Sequence, residues 1–163
     1  AEDRFKFRSL TLRQLRDARQ FFHSGSVASV HDVVEYFNAG AYVPDALVAV
    51  DHLLRDFRTE AVGQIDPGLL DLLYRLTVVT GTGKPFEIIS GYRSPATNAM
   101  LHERSSGVAT RSLHMTGQAI DIRLADVPLG TLRSASLSLR AGGVGFYPKS
   151  NFVHVDTGRV RAW

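Results

Sequence analysis

Residues 112–124, Ser-Leu-His-Met-Thr-Gly-Gln-Ala-Ile-Asp-Ile-Arg-Leu, carry the pattern that decides the fold. Thr116 and Gly117 predict a turn. From Gln118 to Leu124, apolar and polar residues alternate, as in a strand that is buried on one face. Asp121 lies in the middle of this strand. Because an unpartnered buried carboxylate costs several kcal/mol, we expect Asp121 to be paired, hydrogen-bonded or bound to a metal.

A second strand, Phe152–Asp156, repeats this arrangement near the end of the sequence. Its two valines point to one face, so His154 and Asp156 lie beside each other on the opposite face. Val144–Tyr147 predicts the hairpin partner of this strand, and Phe86–Ser90 predicts a further short strand.

Four helices are predicted from apolar residues at helical spacing and from capping residues. They are a helix from Pro44, one between Asp66 and Gly81, one from Pro95 to Arg104, and one over Leu129–Leu139. The order of these elements predicts an α+β fold, in which a small central antiparallel sheet is flanked by about four helices. The length of 163 residues fits a single domain, residues 1–163, with its core and motifs in 44–163.

Residues 1–43 form an N-terminal extension with an ambiguous pattern. Residues 5–12 alternate like a pair of short edge strands, whereas residues 12–22 also fit a helix, and residues 31–37 are ambiguous in the same way. The first four residues do not resemble a signal peptide; they fit a mature N-terminus left after cleavage or a trimmed start.

The composition excludes several classes of protein. The chain has no cysteine, which excludes disulfides, Cys-based zinc fingers, iron–sulfur clusters and cysteine nucleophiles. No apolar run is long enough for a transmembrane segment. The net charge of +3 is spread along the chain without a basic run, so we expect no nucleic-acid partner. The six histidines are therefore the candidates for metal ligands or a neutral-pH base.

Some of these histidines converge if the two strands share one sheet. His114 and His154 then lie close to Asp121, with Asp156 beside them. Two imidazoles, one carboxylate and an open position are the ligand set of a catalytic zinc ion. The alternative is that both histidines are hydrogen-bonded sheet residues and that Asp121 caps a turn. The spacing alone does not separate the two interpretations.

Residues 112–121 match every position of the motif Ser-x-His-x-x-Gly-x-Ala-x-Asp. The chain therefore resembles the M15 zinc peptidases, a group of D-Ala-D-Ala carboxypeptidases, dipeptidases and murein endopeptidases with a hedgehog-like α+β fold. Residues 89–94, 140–145 and 151–158 resemble the branch once called DUF882, which includes murein endopeptidases of Gram-negative bacteria. The resemblance is dense over residues 47–163.

The resemblance implies roles for individual residues. The implied zinc ligands are His114, Asp121 and His154. Arg93 matches an arginine that helps to hold substrate and to stabilise the developing oxyanion, a role that suits a fixed guanidinium. Ser112 and Gln118 are candidates for substrate contacts, with hydrogen bonds inside the loop as the alternative.

The chain departs from many relatives at one position. They place a glutamate three residues before the second histidine as general base, whereas this chain has Asn151, which cannot accept a proton at neutral pH. Asp156 is the predicted base instead, and the alternative is that it orients His154. His102 is expected on a helix surface, with a place in the cleft as the alternative. The remaining histidines, His23, His31 and His52, are expected to be structural.

The resemblance implies a zinc-dependent peptidase that hydrolyses crosslinks between peptidoglycan stem peptides, including crosslinks through meso-diaminopimelate. The expected location is the cell envelope, in the periplasm after removal of a signal peptide. Two alternatives remain open: a carboxypeptidase or dipeptidase of the same family that acts on D-Ala termini, and a non-catalytic zinc-binding module for peptidoglycan.

Overall fold

The computed structural model of the protein describes residues 10–11, 44–105 and 107–163. Six strands in these ranges form one sheet in the order β1-β2-β3-β5-β4-β6. The strands are β1 (Leu10–Thr11), β2 (Phe86–Ser90), β3 (Ala119–Leu124), β4 (Gly143–Tyr147), β5 (Phe152–Asp156) and β6 (Arg161–Ala162). Neighbouring strands are antiparallel except β4 and β6, which are parallel.

Four α-helices accompany the sheet in the described part of the chain. They are α1 (Pro44–Leu53), α2 (Pro67–Thr80), α3 (Pro95–Arg104) and α4 (Leu129–Leu139). The bounds of α2 follow from local chemistry, because the Asp66 carboxylate accepts a hydrogen bond from Gly68 N and Gly81 ends the helix with φ 64°. The predicted α+β class, with its mostly antiparallel sheet and flanking helices, is confirmed.

The core lies on one face of the sheet. Helix α4 packs against β3, β4 and β5, and α2 packs against α4. The largest fully buried apolar side chains are Leu69, Leu70, Leu76, Ile120, Ile122, Leu132, Val153 and Val155. Because side chains alternate along a strand, burying the isoleucines of β3 and the valines of β5 directs the polar residues of both strands to the opposite face.

The structure differs from the sequence prediction at strand β6, and it describes only a small part of the N-terminal region. β6 is a two-residue strand that the sequence pattern did not predict. Within the predicted strand region 5–12, Leu10–Thr11 forms an edge strand on β2. The other predictions for residues 1–43, including those for His23 and His31, lie outside the described residues. No helix among the residues described here is long and apolar enough to cross a membrane.

Candidate metal centre

A short 3-10 helix, Leu113–Thr116, positions His114 just before β3. Ser112 caps this helix, and its Oγ accepts a hydrogen bond from His114 N at 3.4 Å. The helix ends at Gly117, where φ is 67° and where a Cβ atom would overlap the carbonyl oxygen of Gln64. Glycine is therefore required at the turn that brings His114 towards the sheet.

Asp121 and His154 are direct cross-strand partners on β3 and β5. Both side chains are buried, and His114 is buried beside them. Asp121 Oδ1 lies 2.8 Å from His154 Nδ1 and 3.3 Å from His114 Nε2. The two imidazole nitrogens are 3.2 Å apart. The structure thus brings together the three residues that the sequence predicted as metal ligands.

The other nitrogen of each imidazole has a partner of its own. His114 Nδ1 lies 2.8 Å from Gly91 O, and His154 Nε2 lies 3.2 Å from Asp156 Oδ2. A carbonyl or carboxylate oxygen accepts, so these two nitrogens carry the N–H groups. His114 Nε2 and His154 Nδ1 are therefore the atoms whose lone pairs face Asp121.

Three electron-pair donors this close together require a cation between them. In the metal-free protein a proton supplies it: burial acts to lower the pKa of His154, but its contacts with Asp121 and Asp156 outweigh burial and raise the pKa to about 9. Burial acts to raise the pKa of Asp121, but the charge and hydrogen bonds of His114 and His154 hold it well below its usual range.

A metal ion fits the same position. The ligand atoms of His114, Asp121 and His154 form the one group of metal-ligating side chains found in the described part of the chain. Tetrahedral zinc takes N and O donors at ~2.0–2.2 Å, which places the donors about 3.3–3.6 Å from one another. The observed separations of 2.8–3.3 Å approach this spacing. The nitrogen of each imidazole that faces away from this position donates its N–H to an oxygen, as in metal-bound histidines.

Asp156 lies behind His154 and is fully buried. Its Oδ1 accepts hydrogen bonds from Gly143 N and Gly158 N, both at 2.9 Å. Arg161 donates to both carboxylate oxygens, at 3.1 and 2.7 Å. Burial acts to raise the pKa of Asp156, but these hydrogen bonds and that of His154 hold it well below its usual range. This setting favours the alternative in which Asp156 orients His154, because a buried carboxylate occupied by five donors is a poor proton acceptor for a water in the cleft.

Arg93 lies on the other side of the centre, just after β2. Its backbone N donates to His114 O at 3.0 Å. Its Nη2 lies 3.8 Å from Asp121 Oδ2, and its Nη1 donates to Asn98 Oδ1 at 3.5 Å. Its Nε is buried and has no hydrogen-bond partner among the described residues. Arg93 is thus a fixed cation with unused donor capacity beside the candidate ligands.

A cavity of about 360 Å³ adjoins the candidate metal centre. Its lining includes the three candidate ligands, Ser112, the arginines Arg93, Arg111 and Arg161, and the aromatic residues Tyr147, Phe152 and Trp163. Among the described residues that line the cavity, Asp121 is the one carboxylate side chain. Arg161 is paired with Asp156 and Arg93 lies near Asp121, which leaves Arg111 as the arginine of this lining for which no carboxylate partner is seen among the described residues.

The remaining predicted residues divide between the cavity and the surface. Ser112 lines the cavity and also caps the 3-10 helix, so its predicted substrate contact stays a prediction. Gln118 is absent from that lining; its Oε1 accepts a hydrogen bond from Thr116 Oγ1 at 2.9 Å, so the local alternative describes it better. His102 is exposed on α3, where its Nδ1 lies 2.6 Å from Val108 O. His52 is exposed on α1.

Asn151 lies away from the cavity. It occupies the turn between β4 and β5 with φ 55°, a left-handed conformation that asparagine tolerates better than most residues. Arg161 and Trp163 are among the cavity residues that the sequence analysis missed. Neither belongs to a motif, and both reach the cavity through β6, which is too short to produce a pattern.

An α+β fold that brings two histidines and one aspartate together at a cleft has the ligand set of a metal-assisted hydrolase. Residues 13–163 match the family described as peptidoglycan L,D-endopeptidase MepK. The chain is 50% identical over 129 residues to the peptidoglycan L,D-endopeptidase MepK of Escherichia coli K12, which covers 79% of this chain and 71% of the relative. It is 48% identical over 130 residues to the probable peptidoglycan L,D-endopeptidase MepK of Haemophilus influenzae, covering 79% and 70%. The chain belongs to the MepK family of M15 peptidases.

Proposed function

We propose that this protein is a zinc-dependent murein endopeptidase that hydrolyses L,D peptide bonds in the crosslinks between peptidoglycan stem peptides, including those through meso-diaminopimelate. The observation that carries the proposal is the convergence of His114 Nε2, Asp121 Oδ1 and His154 Nδ1 beside an arginine-lined cavity. The names of the relatives supply the bond type and the polymer.

The proposed zinc ligands are His114, Asp121 and His154. All three line the cavity, so a zinc ion held by them would keep a free coordination position, as catalytic zinc sites do. When bound, zinc supplies the Lewis acid that polarises the scissile carbonyl and activates water for attack. The absence of cysteine is consistent with this nitrogen and oxygen ligand set.

The proposed roles of the surrounding residues follow from their contacts. Arg93 donates to the carbonyl oxygen as negative charge develops on it, because this arginine lines the cavity and its Nη2 lies 3.8 Å from Asp121 Oδ2. Asp156 accepts the Nε2–H of His154 and thereby leaves Nδ1 as the nitrogen that a metal ion at the centre would bind. Ser112 contacts the substrate at the rim of the cavity.

The proposed setting is the cell envelope, in the periplasm after removal of a signal peptide, where peptidoglycan is available. We further propose that residues 1–163 form a single peptidase domain, and the family match over 13–163 supports this. Cell fractionation followed by immunodetection tests the location, and limited proteolysis of the purified protein tests the domain.

Digestion of purified peptidoglycan, with and without a chelator, tests the activity. We expect chelator-sensitive loss of crosslinked muropeptides with a matching gain of monomers, and faster cleavage of purified dimers with an L,D crosslink than of dimers with a D,D crosslink. His114→Ala is expected to abolish cleavage. His52→Ala, which changes an exposed histidine on α1 outside the cavity, is the matched control.

The same digestion distinguishes the alternatives. Release of terminal D-Ala alone would indicate the carboxypeptidase or dipeptidase activity. Unchanged muropeptides from a protein that retains zinc would indicate the non-catalytic module. Either result would refute the endopeptidase proposal.

A further inference from the structure

Trp163 is held against the metal centre while much of its surface remains exposed. Its ring centroid lies 5.3 Å from that of His154, and 49% of the residue is accessible to solvent. It is the only tryptophan in the chain, and it lines the cavity. A half-exposed tryptophan beside a catalytic centre leaves apolar area that a ligand can cover.

Four contacts fix the position of this ring. Its Nε1 donates to Tyr147 Oη at 2.8 Å, and the guanidinium carbon of Arg161 lies 4.9 Å from the ring centroid. Both backbone groups of Trp163 are bonded to β4: its N–H donates to Val144 O, and its carbonyl oxygen accepts from Phe146 N. The ring is therefore ordered before a ligand arrives, which lowers the entropic cost of binding against it.

Gly145 provides the space for this arrangement. It is the cross-strand neighbour of His154 on β4, and a Cβ atom at this position would lie 2.8–2.9 Å from ring atoms of Trp163. Such a contact is too short, so an alanine would displace the ring. The indole can lie over the strand beside the metal centre because residue 145 has no side chain.

We propose that Trp163 forms a substrate-binding wall of the cleft, on which the aliphatic part of the stem peptide packs beside the scissile bond. The inference rests on the proposed function and adds a specificity-determining residue to it. The Trp163 wall is apolar and rigid, whereas Arg111 in the lining of the same cavity attracts carboxylates. A peptide that combines carboxylates with short aliphatic side chains satisfies both surfaces.

A purely structural role for Trp163 would be support of the His154 ring. That role and a substrate-binding role affect different quantities. Loss of support would disturb His154 and lower zinc affinity and kcat together. Loss of a binding wall would raise KM and leave zinc affinity and kcat largely intact, provided that the contact stabilises the bound substrate and the transition state equally.

The test uses the zinc-loaded protein and purified L,D-crosslinked muropeptide dimers. For Trp163→Ala we expect KM to rise by about tenfold, with kcat and the zinc dissociation constant within about twofold of wild type. The KM of Trp163→Phe is expected to lie between those of wild type and Trp163→Ala. Gly145→Ala keeps the indole but displaces it, so it is expected to raise KM as well. Phe57→Ala removes an exposed aromatic residue outside the cavity and serves as the control.

Tryptophan fluorescence gives a second readout because Trp163 is the only tryptophan in the chain. We expect a saturable change in emission when dimer is added. The proposal is overturned if emission does not respond to saturating dimer, if Trp163→Ala and Phe57→Ala have the same KM, or if Trp163→Ala loses zinc affinity and kcat at unchanged KM. A wild-type protein that cleaves no dimer would refute the proposed function, and the fluorescence titration would still decide whether Trp163 contacts the peptide.

Discussion

Replacing Asp156 by asparagine exchanges one carboxylate oxygen for an NH2 group at almost constant volume. The amide oxygen can keep the hydrogen bonds from Gly143 N and Gly158 N that Oδ1 accepts. The amide NH2 then occupies the position of Oδ2, which accepts from Arg161 Nη2 at 2.7 Å and faces His154 Nε2 at 3.2 Å. The N–H donors of Arg161 and His154 would then face the NH2 group of the asparagine instead of an acceptor, which is unfavourable.

The imidazole can relieve this conflict by changing its tautomer. If His154 Nε2 accepts from the new amide, the proton moves to Nδ1, which is the atom that faces Asp121 and the proposed metal position. A protonated Nδ1 cannot bind a metal. Loss of such a supporting contact typically costs 10- to 100-fold in metal affinity, or about 1.4–2.7 kcal/mol.

The same substitution leaves the Arg161 charge without its carboxylate. Removing one partner of a buried ion pair costs about 3–5 kcal/mol. Arg161 keeps 30% of its side chain exposed, so water offsets part of this loss. We therefore expect the free energy of unfolding of the metal-free protein to fall by about 2–3 kcal/mol.

Zinc affinity is measured by competition with a chromophoric chelator, and stability by urea unfolding in the presence of chelator. Asp71→Asn makes the same chemical change on the exposed surface of α2 and is expected to alter neither quantity. If Asp156→Asn binds zinc as tightly as wild type and loses only turnover, the positioning role is refuted and Asp156 acts as the general base.

Three further predictions concern Arg93, His154 and Asp56. Arg93→Ala is expected to lower kcat by about 10²–10³ with zinc affinity unchanged, because it removes a donor to the developing oxyanion; steady-state kinetics that show only a higher KM would contradict this. In the presence of chelator, the pKa of His154 is raised to about 9 from an ordinary 6.5. The stability that this shift contributes is fully present below pH 6.5 and is lost as the pH rises through 9. The Tm of wild type and of His154→Gln should therefore depend differently on pH across this range, and parallel profiles would refute the assignment. Asp56→Ala is expected to cost about 2–3 kcal/mol in urea unfolding, since its buried carboxylate accepts from Arg58 N and Ser94 N; a loss under about 0.5 kcal/mol would show that these hydrogen bonds contribute little.

Much of the fold could be predicted because its determinants are local. Asp66, Pro67 and Gly81 determine where α2 begins and ends, and alternation along Phe152–Asp156 fixes which residues of β5 face the core. Strand β6 could not be predicted, since a two-residue strand depends on pairing with β4 and not on its own sequence.

The sequence by itself indicated which side chains could form the candidate metal centre, since the motif in 112–121 contains His114 and Asp121 and the alternation in β5 places His154 on the polar face. Only the tertiary structure decided which atoms of these residues meet, because Gly91 O and Asp156 select the tautomers from elsewhere in the fold. It also determined that Asp156 is fully buried. The physical reason is that burial and hydrogen-bond partners are set by chain segments that are distant in sequence, whereas residue identity and periodicity are local.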